Sequence, residues 1–387
     1  MASSTLNVAF FDDRFFEVYG AQKNLLLLAE FSQIESDHSC SFVTTWPGPL
    51  EKAAFEQGLD VVIIKAPKAL RMFEKNAIRG GPMRLIRALI LSILYSIKLH
   101  RNLNSLNIDL IVIGSVRASL LLSVTRVFGR QHTLLFAQNS TPFGVFSALS
   151  LVGVDLVGLI SSGSKTTFPA WMIKLYDHKL RHLASGRSMA AYEHVTRSSD
   201  QQTTNFVTIC SITRRKGLHV LLSAFRLLQQ DYKDVVLNIV GGTSGQDSEY
   251  YLSELESFCD KHELNVRFHG WSSDVVNHLE GNDVFVLASE NEGLPGAIIE
   301  AMATGLPVIT TDAGGCADAV TDGVNGYVVP VGDENALRMR MVEMLDNKKR
   351  QEFGRNSRGI AKERYTIEAF RERYLALVRE LENQISN

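Results

Sequence analysis

The chain has 387 residues, with 40 Lys and Arg against 42 Asp and Glu. Length predicts two or three domains, each able to bury its own core. A 21% charged fraction and a mean hydropathy of +0.01 exclude a disordered chain, and a net charge of −2 removes any global drive toward nucleic acid.

In chain order, short apolar runs at 6–11, 40–43, 61–64, 110–113, 133–136 and 156–160 read as strands, with helix-length segments between most of them. This is the βαβ rhythm of a parallel sheet. Residues 185–204 are polar with little periodicity and read as a linker. The rhythm then restarts: a strand at 206–212, and a helix at 217–230 with Leu218, Leu221, Leu222, Phe225 and Leu228 on one face. Strands are expected at 235–240, 266–269, 284–288 and 308–311, and a helix at 250–262. Helix formers dominate beyond Asp333. The plan is two Rossmann-like α/β domains (1–185 and 205–365), a linker over 186–204 and a C-terminal helix over 366–387. Ligands of such sheets sit at the carboxyl ends of strands, so a cleft between the two halves is the expected site.

Several motifs are missing. No two glycines are spaced G-x-G, no Gly-Lys pair occurs, and G-x-S-x-G, H-E-x-x-H and D-x-D are absent. Dinucleotide fingerprints, P-loops, hydrolase elbows and the acidic metal–diphosphate pair therefore lose their sequence support. Cys40, Cys210, Cys259 and Cys316 lie far apart with no C-x-x-C, which argues against a disulfide framework or zinc site. Met1 to Asp13 carries no basic n-region, so a cytoplasmic setting is expected.

The densest signal runs over 288–330, ASENEGLPGAIIEAMATGLPVITTDAGGCADAVTDGVNGYVVP. It opens in a loop after a strand. Pro295 suits the first turn of a helix over 295–304, whose N-terminal amides favour an anion. Gly293 and Gly296 allow close backbone approach. Glu292 and Glu300 bracket that start. Eight positions at about 1.5 Å each set them about 12 Å apart. A glycosidase pair needs roughly 5–9.5 Å, so two grips on one ligand suit the spacing better.

This segment resembles the E-x7-E region of retaining glycosyltransferases of the GT-B fold, family 4. The resemblance is near continuous over the second half of the chain and weak over the first. It implies that Glu300 binds the ribose of a nucleoside diphosphate-sugar donor. Glu292 would face the sugar, and the backbone at Gly293, Leu294 and Pro295 would hold sugar and diphosphate. Lys216, in Arg214-Arg215-Lys216-Gly217, matches the family's diphosphate-binding lysine, a cation suited to the leaving group's developing charge. The family's further Arg falls at Ser211 here, leaving Arg214 or Arg215 as substitutes. Gly20 resembles the family's Gly-Gly loop toward the donor phosphates. Trp271 matches the region near the base, with core packing as the alternative. The family's N-domain His is missing, and Gln138 or Asn139 stand in that loop as possible sugar or acceptor contacts, though neither is a general base near neutral pH. Asp318 is expected to fix the Gly314-Gly315 turn. His178 and His182, read as one helical turn apart, suggest a surface pair rather than a metal site.

Residues 68–101 carry eight Lys and Arg against Glu74, around the apolar run 88–97, which is too short to span about 30 Å of hydrocarbon. The segment suits either an anionic membrane surface or a core helix with a charged outer side. The resemblance implies a sugar transferase of polysaccharide or glycolipid assembly, with the nucleotide-sugar as donor substrate and no cofactor or metal required. The alternatives are a nucleotide-sugar epimerase or hydrolase on the same scaffold, or a non-catalytic sugar-nucleotide binding module.

Overall fold

A computed structural model describes residues 5–385 except 14–17, 19, 36–37, 72–81, 139–144, 193 and 196–202. It divides into two compact units, one of residues 1–160, 164–183 and 371–387, the other of 161–163 and 184–370.

The first unit contains β1 (Asn7–Asp12), α1 (Gly20–Glu35), β2 (Ser39–Thr44), α2 (Pro49–Glu56), β3 (Asp60–Ile63), α3 (Lys68–Arg71), α4 (Pro82–Ser105), β4 (Leu110–Ile113), α5 (Val116–Leu121), α6 (Ser123–Phe128), β5 (His132–Ala137), α7 (Val145–Leu149), β6 (Leu156–Leu159), α8 (Ala170–Tyr176) and β7 (Leu180–His182). Its sheet has the order β3-β2-β1-β4-β5-β6-β7, and every pairing is parallel. All-parallel strands are covered on both faces, which is why β4 reads as the unbroken apolar run LIVI, all four residues buried.

The second unit contains β8 (Thr204–Ile209), α9 (Leu218–Asp231), β9 (Val235–Val240), α10 (Gln246–Lys261), β10 (Val266–Phe268), α11 (Val275–Glu280), β11 (Val284–Leu287), α12 (Gly296–Ala303), β12 (Val308–Thr311), α13 (Cys316–Ala319), β13 (Gly326–Val329), α14 (Glu334–Glu343), α15 (Asn347–Arg364) and the start of α16 (Ile367–Ile385). The sheet order is β10-β9-β8-β11-β12-β13, again parallel throughout. The five apolar residues expected on one face of α9 are all buried, at about 1.5–3 kcal/mol each.

The C-terminal helix belongs to the first unit from Arg371 onward. Tyr374 is fully buried with its hydroxyl 2.7 Å from Ser32 Oγ, and Glu380 pairs with Arg181 on β7. Described residues of the stretch expected as a connector are tied into the second unit at two points. Arg187 bridges Thr366 in parallel, and the buried Val195 accepts a hydrogen bond from Arg358 Nη2 at 2.8 Å through its carbonyl. Polar composition concealed these ties.

Candidate active site

The second sheet runs 3-2-1-4-5-6 in local order, so the direction of winding reverses between β8 and β11. Loops that leave the carboxyl ends there splay apart and open a crevice for ligands. The loop after β8 carries Arg214–Lys216 as one turn of 3-10 helix, and the loop after β11 carries Glu292. Two segments 76 positions apart in sequence thus converge at the reversal point.

Glu292 is buried, 8% exposed. Its Oε1 accepts from Lys216 Nζ at 2.5 Å and from Ser289 Oγ at 2.9 Å, with Arg215 Nη1 at 3.3 Å. A carboxylate taken out of water needs such partners. Arg215 also donates to the Asn291 carbonyl, and its own carbonyl accepts from Glu290 N at 2.9 Å, so the two loops are stitched through backbone as well. Gly217 permits the approach: its φ is +63°, and an added Cβ would fall 1.9 Å from the Ala288 carbonyl oxygen. Arg214 turns away to Glu254 and the Tyr251 ring, which leaves Arg215 as the second cation beside Glu292. Ser211 is exposed.

Pro295 is the N-cap of α12 (φ −69°, ψ 116°), not its first-turn residue as the sequence suggested; its fixed φ serves equally well one position earlier. Leu294 and Pro295 are buried and Gly293 half-buried, packed where Gly315 N donates to the Glu292 carbonyl at 3.1 Å. Glu300 lies on α12, 22% exposed at its side chain, with Arg187 Nε 3.7 Å from Oε1. Arg187 also crowds the helix start, its Nη2 2.5 Å from where a Gly296 Cβ would sit. Tyr192 is near this pair; burial, then Glu300, raise its hydroxyl well above the ordinary phenol range. Burial pushes the Cys210 thiol up to about 11 and the Cys316 thiol up to about 12, so neither supplies a thiolate beside Glu292.

Trp271 follows β10 and Gly270 (φ +69°) and is 77% exposed, which removes the core alternative. Its Cβ lies 3.0 Å from the position of a Gly242 Cβ, at the carboxyl end of β9. Gly20 is the first residue of α1 and opens to space, with nothing within 4 Å of an added Cβ.

Two expectations need correction, the histidine pair and Asp318. Gln138 is 8% exposed; it accepts from Asn24 Nδ2 at 2.8 Å and donates to the Ala21 carbonyl at 3.0 Å, so its amide ties α1 to the end of β5. Asn139 lies outside the described residues. His178 and His182 are not on one helix, since His178 is in a 3-10 turn and His182 on β7. Asp318 ties a different segment from the one expected: its carboxylate accepts from Ser162 N and Oγ. Sequence reading missed Ser289 and Arg187. Ser289 sits in the quoted segment and was within reach as a hydroxyl three positions before a loop Glu; Arg187 lies in polar sequence 113 positions before Glu300, and nothing local marks it.

Residues 194–359 match the model of the family described as glycosyl transferases group 1. Among curated relatives, the chain is 29% identical over 157 residues to the capsular polysaccharide biosynthesis glycosyltransferase CapM of Staphylococcus aureus, covering 40% of each chain. It is 30% identical over 165 residues to the lipopolysaccharide core biosynthesis glycosyltransferase LpsE of Rhizobium meliloti, covering 42% of this chain and 46% of LpsE. The chain thus spans about two fifths of the length of the curated relatives it matches. Anabaena HepE, solved in complex with UDP, superposes with a TM-score of 0.76 at 18% identity over 97% of this chain and 100% of that one. The chain thus resembles the glycosyl transferases group 1 family over 194–359 and shares the GT-B fold of that solved structure.

Proposed function

We propose that the protein is a retaining glycosyltransferase that moves a sugar from a nucleoside diphosphate-sugar to an acceptor hydroxyl in polysaccharide or glycolipid assembly. The observation that carries this reading is the Lys216–Glu292 pair at the β8/β11 reversal point, inside the family-matched segment. The names of CapM and LpsE support the polymer context, and UDP in HepE supports a nucleotide donor.

In this reading Glu300 accepts hydrogen bonds from the ribose hydroxyls, and the backbone of Gly293, Leu294 and Pro295 lies along sugar and diphosphate. Trp271 offers its ring to the base. Lys216 and Arg215 sit where negative charge grows on the departing diphosphate, which is where fixed cations lower a barrier most. Glu292, already holding Lys216 in place, faces the sugar. The acceptor oxygen bonds to the anomeric carbon on the same face from which the diphosphate leaves, and the acceptor's proton passes to a phosphate oxygen. No side chain of the described site has to act as nucleophile. The segment 68–101 supports a peripheral position at the inner face of a membrane; no described helix is long and apolar enough to cross one.

The test is incubation with UDP-, GDP- and ADP-sugars, with and without acceptor glycans. Free diphosphate that depends on acceptor supports transfer. An epimer formed without acceptor, acceptor-independent hydrolysis, or binding without turnover would each replace this reading.

A further inference from the structure

Within the second unit, Arg187 approaches Glu300 from a segment outside the sheet and its helices. Its backbone is pinned at the turn between α15 and α16: Arg187 N donates to the Tyr365 carbonyl at 2.8 Å, and the residue bridges Thr366 in parallel. The side chain is aimed as well. Nη1 donates to the Gly186 carbonyl at 2.9 Å, and Nε stands 3.7 Å from Glu300 Oε1. The guanidinium lies against the first turn of α12, where a Cβ on Gly296 would fall 2.5 Å from Nη2 and 3.2 Å from both Cζ and Nε. Any larger residue at 296 would take the room this group occupies.

This placement is not one that helix stability favours. A cation at a helix N-terminus opposes the macrodipole, and the first turn of α12 has no acidic residue and no side-chain cap. Glu300, one helical turn beyond Gly296, is the carboxylate facing the guanidinium. What the arrangement supplies is orientation. A glutamate at 22% side-chain exposure must give up rotamer freedom before it can grip a diol at two points. A fixed guanidinium beside Oε1 removes part of that freedom before any ligand arrives. At 3.7 Å the contact is an ion pair and not a hydrogen bond, so Arg187 steers Oε1 without using one of its acceptor directions.

We propose that Arg187 is a positioning residue that sets the Glu300 carboxylate for the ribose diol, and so sets the preference of the site for ribonucleotides over nucleotides without that diol. The proposal rests on the donor reading given above and deepens it. Titrate the full chain with UDP, GDP and ADP, and with the same nucleotides lacking both ribose hydroxyls. For the nucleotide that binds, the wild type prefers the ribose form by at least about tenfold, the least that one hydrogen bond to a charged group contributes. Arg187→Gln weakens the ribose form about fivefold and leaves the form without hydroxyls within about twofold, a control that a merely structural loss would fail. Added to Glu300→Gln, the same change weakens the ribose form by less than about twofold further, because the carboxylate it serves is gone. Gly296→Ala, whose Cβ displaces the guanidinium, lowers the same preference when Arg187 is present and not in Arg187→Gln, so the test does not depend on one variant folding. Equal weakening of both nucleotide forms by Arg187→Gln, an unchanged preference, or additive losses in the double variant would overturn the proposal and leave the donor reading standing. Absence of binding by all three nucleotides to the wild type would overturn the donor reading and this proposal with it.

Discussion

Lys216 and Glu292 form a pair whose removal tests structure and chemistry separately. Their side chains are 14% and 9% exposed, and the contact is 2.5 Å. Deleting one partner of a buried pair costs about 3–5 kcal/mol because the other charge is left desolvated. Lys216→Met falls at the lower end, about 3 kcal/mol, because Ser289 Oγ and Arg215 still reach Glu292. For a unit of this size each kcal/mol moves Tm by about 2–4 °C, so the midpoint drops by about 6–12 °C. Glu292→Gln costs less, about 1–2 kcal/mol, since the lysine stem can carry its charge toward water. The double variant removes both charges and returns to within about 1 kcal/mol of wild type. Turnover behaves otherwise: losing the cation at the leaving group costs about 100- to 1000-fold, and the double variant does not recover it. Thermal denaturation and a nucleotide-release assay on all four proteins close the cycle. A stability coupling below about 0.5 kcal/mol would refute the buried pair as described. Recovery of turnover in the double variant would refute the role given to Lys216.

Two further expectations use groups at the surface. Trp271→Ala leaves stability unchanged within about 0.5 kcal/mol, because the ring is 77% exposed, yet raises donor KM about tenfold with little effect on kcat; steady-state kinetics and a melt check both halves. Glu343 lies in a cluster in which burial pushes its carboxyl up but hydrogen bonds from Tyr327, Lys349 and Arg340 outweigh it, holding the pKa at about 2. A depressed folded pKa gives stability that is complete above the unfolded value near 4.5 and is lost as pH falls toward about 2. Glu343→Gln therefore lowers stability at neutral pH by about 1 kcal/mol, allowing for its partial exposure, and flattens the pH dependence between about 4.5 and 2 in denaturant titrations.

Much of the fold was legible because parallel strands buried on both faces announce themselves as apolar runs. β4, β9 and β12 fall where the sequence set them, and most others within one or two residues. The two strands missed had reasons. β7 is the three-residue edge segment LRH with no apolar run, and β13 starts at Gly326 inside a segment read for its chemistry. At the site, residues close in sequence were readable: glycines, Pro295 and the two glutamates share one loop and helix. Pairings across the fold were not. Neither the Lys216–Glu292 contact nor Arg187 beside Glu300 leaves a local pattern, since both depend on where separate strand ends meet. The partners of Gln138 were equally out of reach: a polar residue after a strand carries no sign that its amide bonds Asn24 and the Ala21 carbonyl.

Nucleotide binding by the second unit is what the proposed function requires first. Isothermal titration of the full chain with UDP, GDP and ADP, repeated on Glu300→Gln, should give one nucleotide that binds the wild type and at least tenfold weaker binding of it to the variant, with Tm unchanged. Equal affinities in the two proteins, or no heat from any of the three nucleotides, would contradict it.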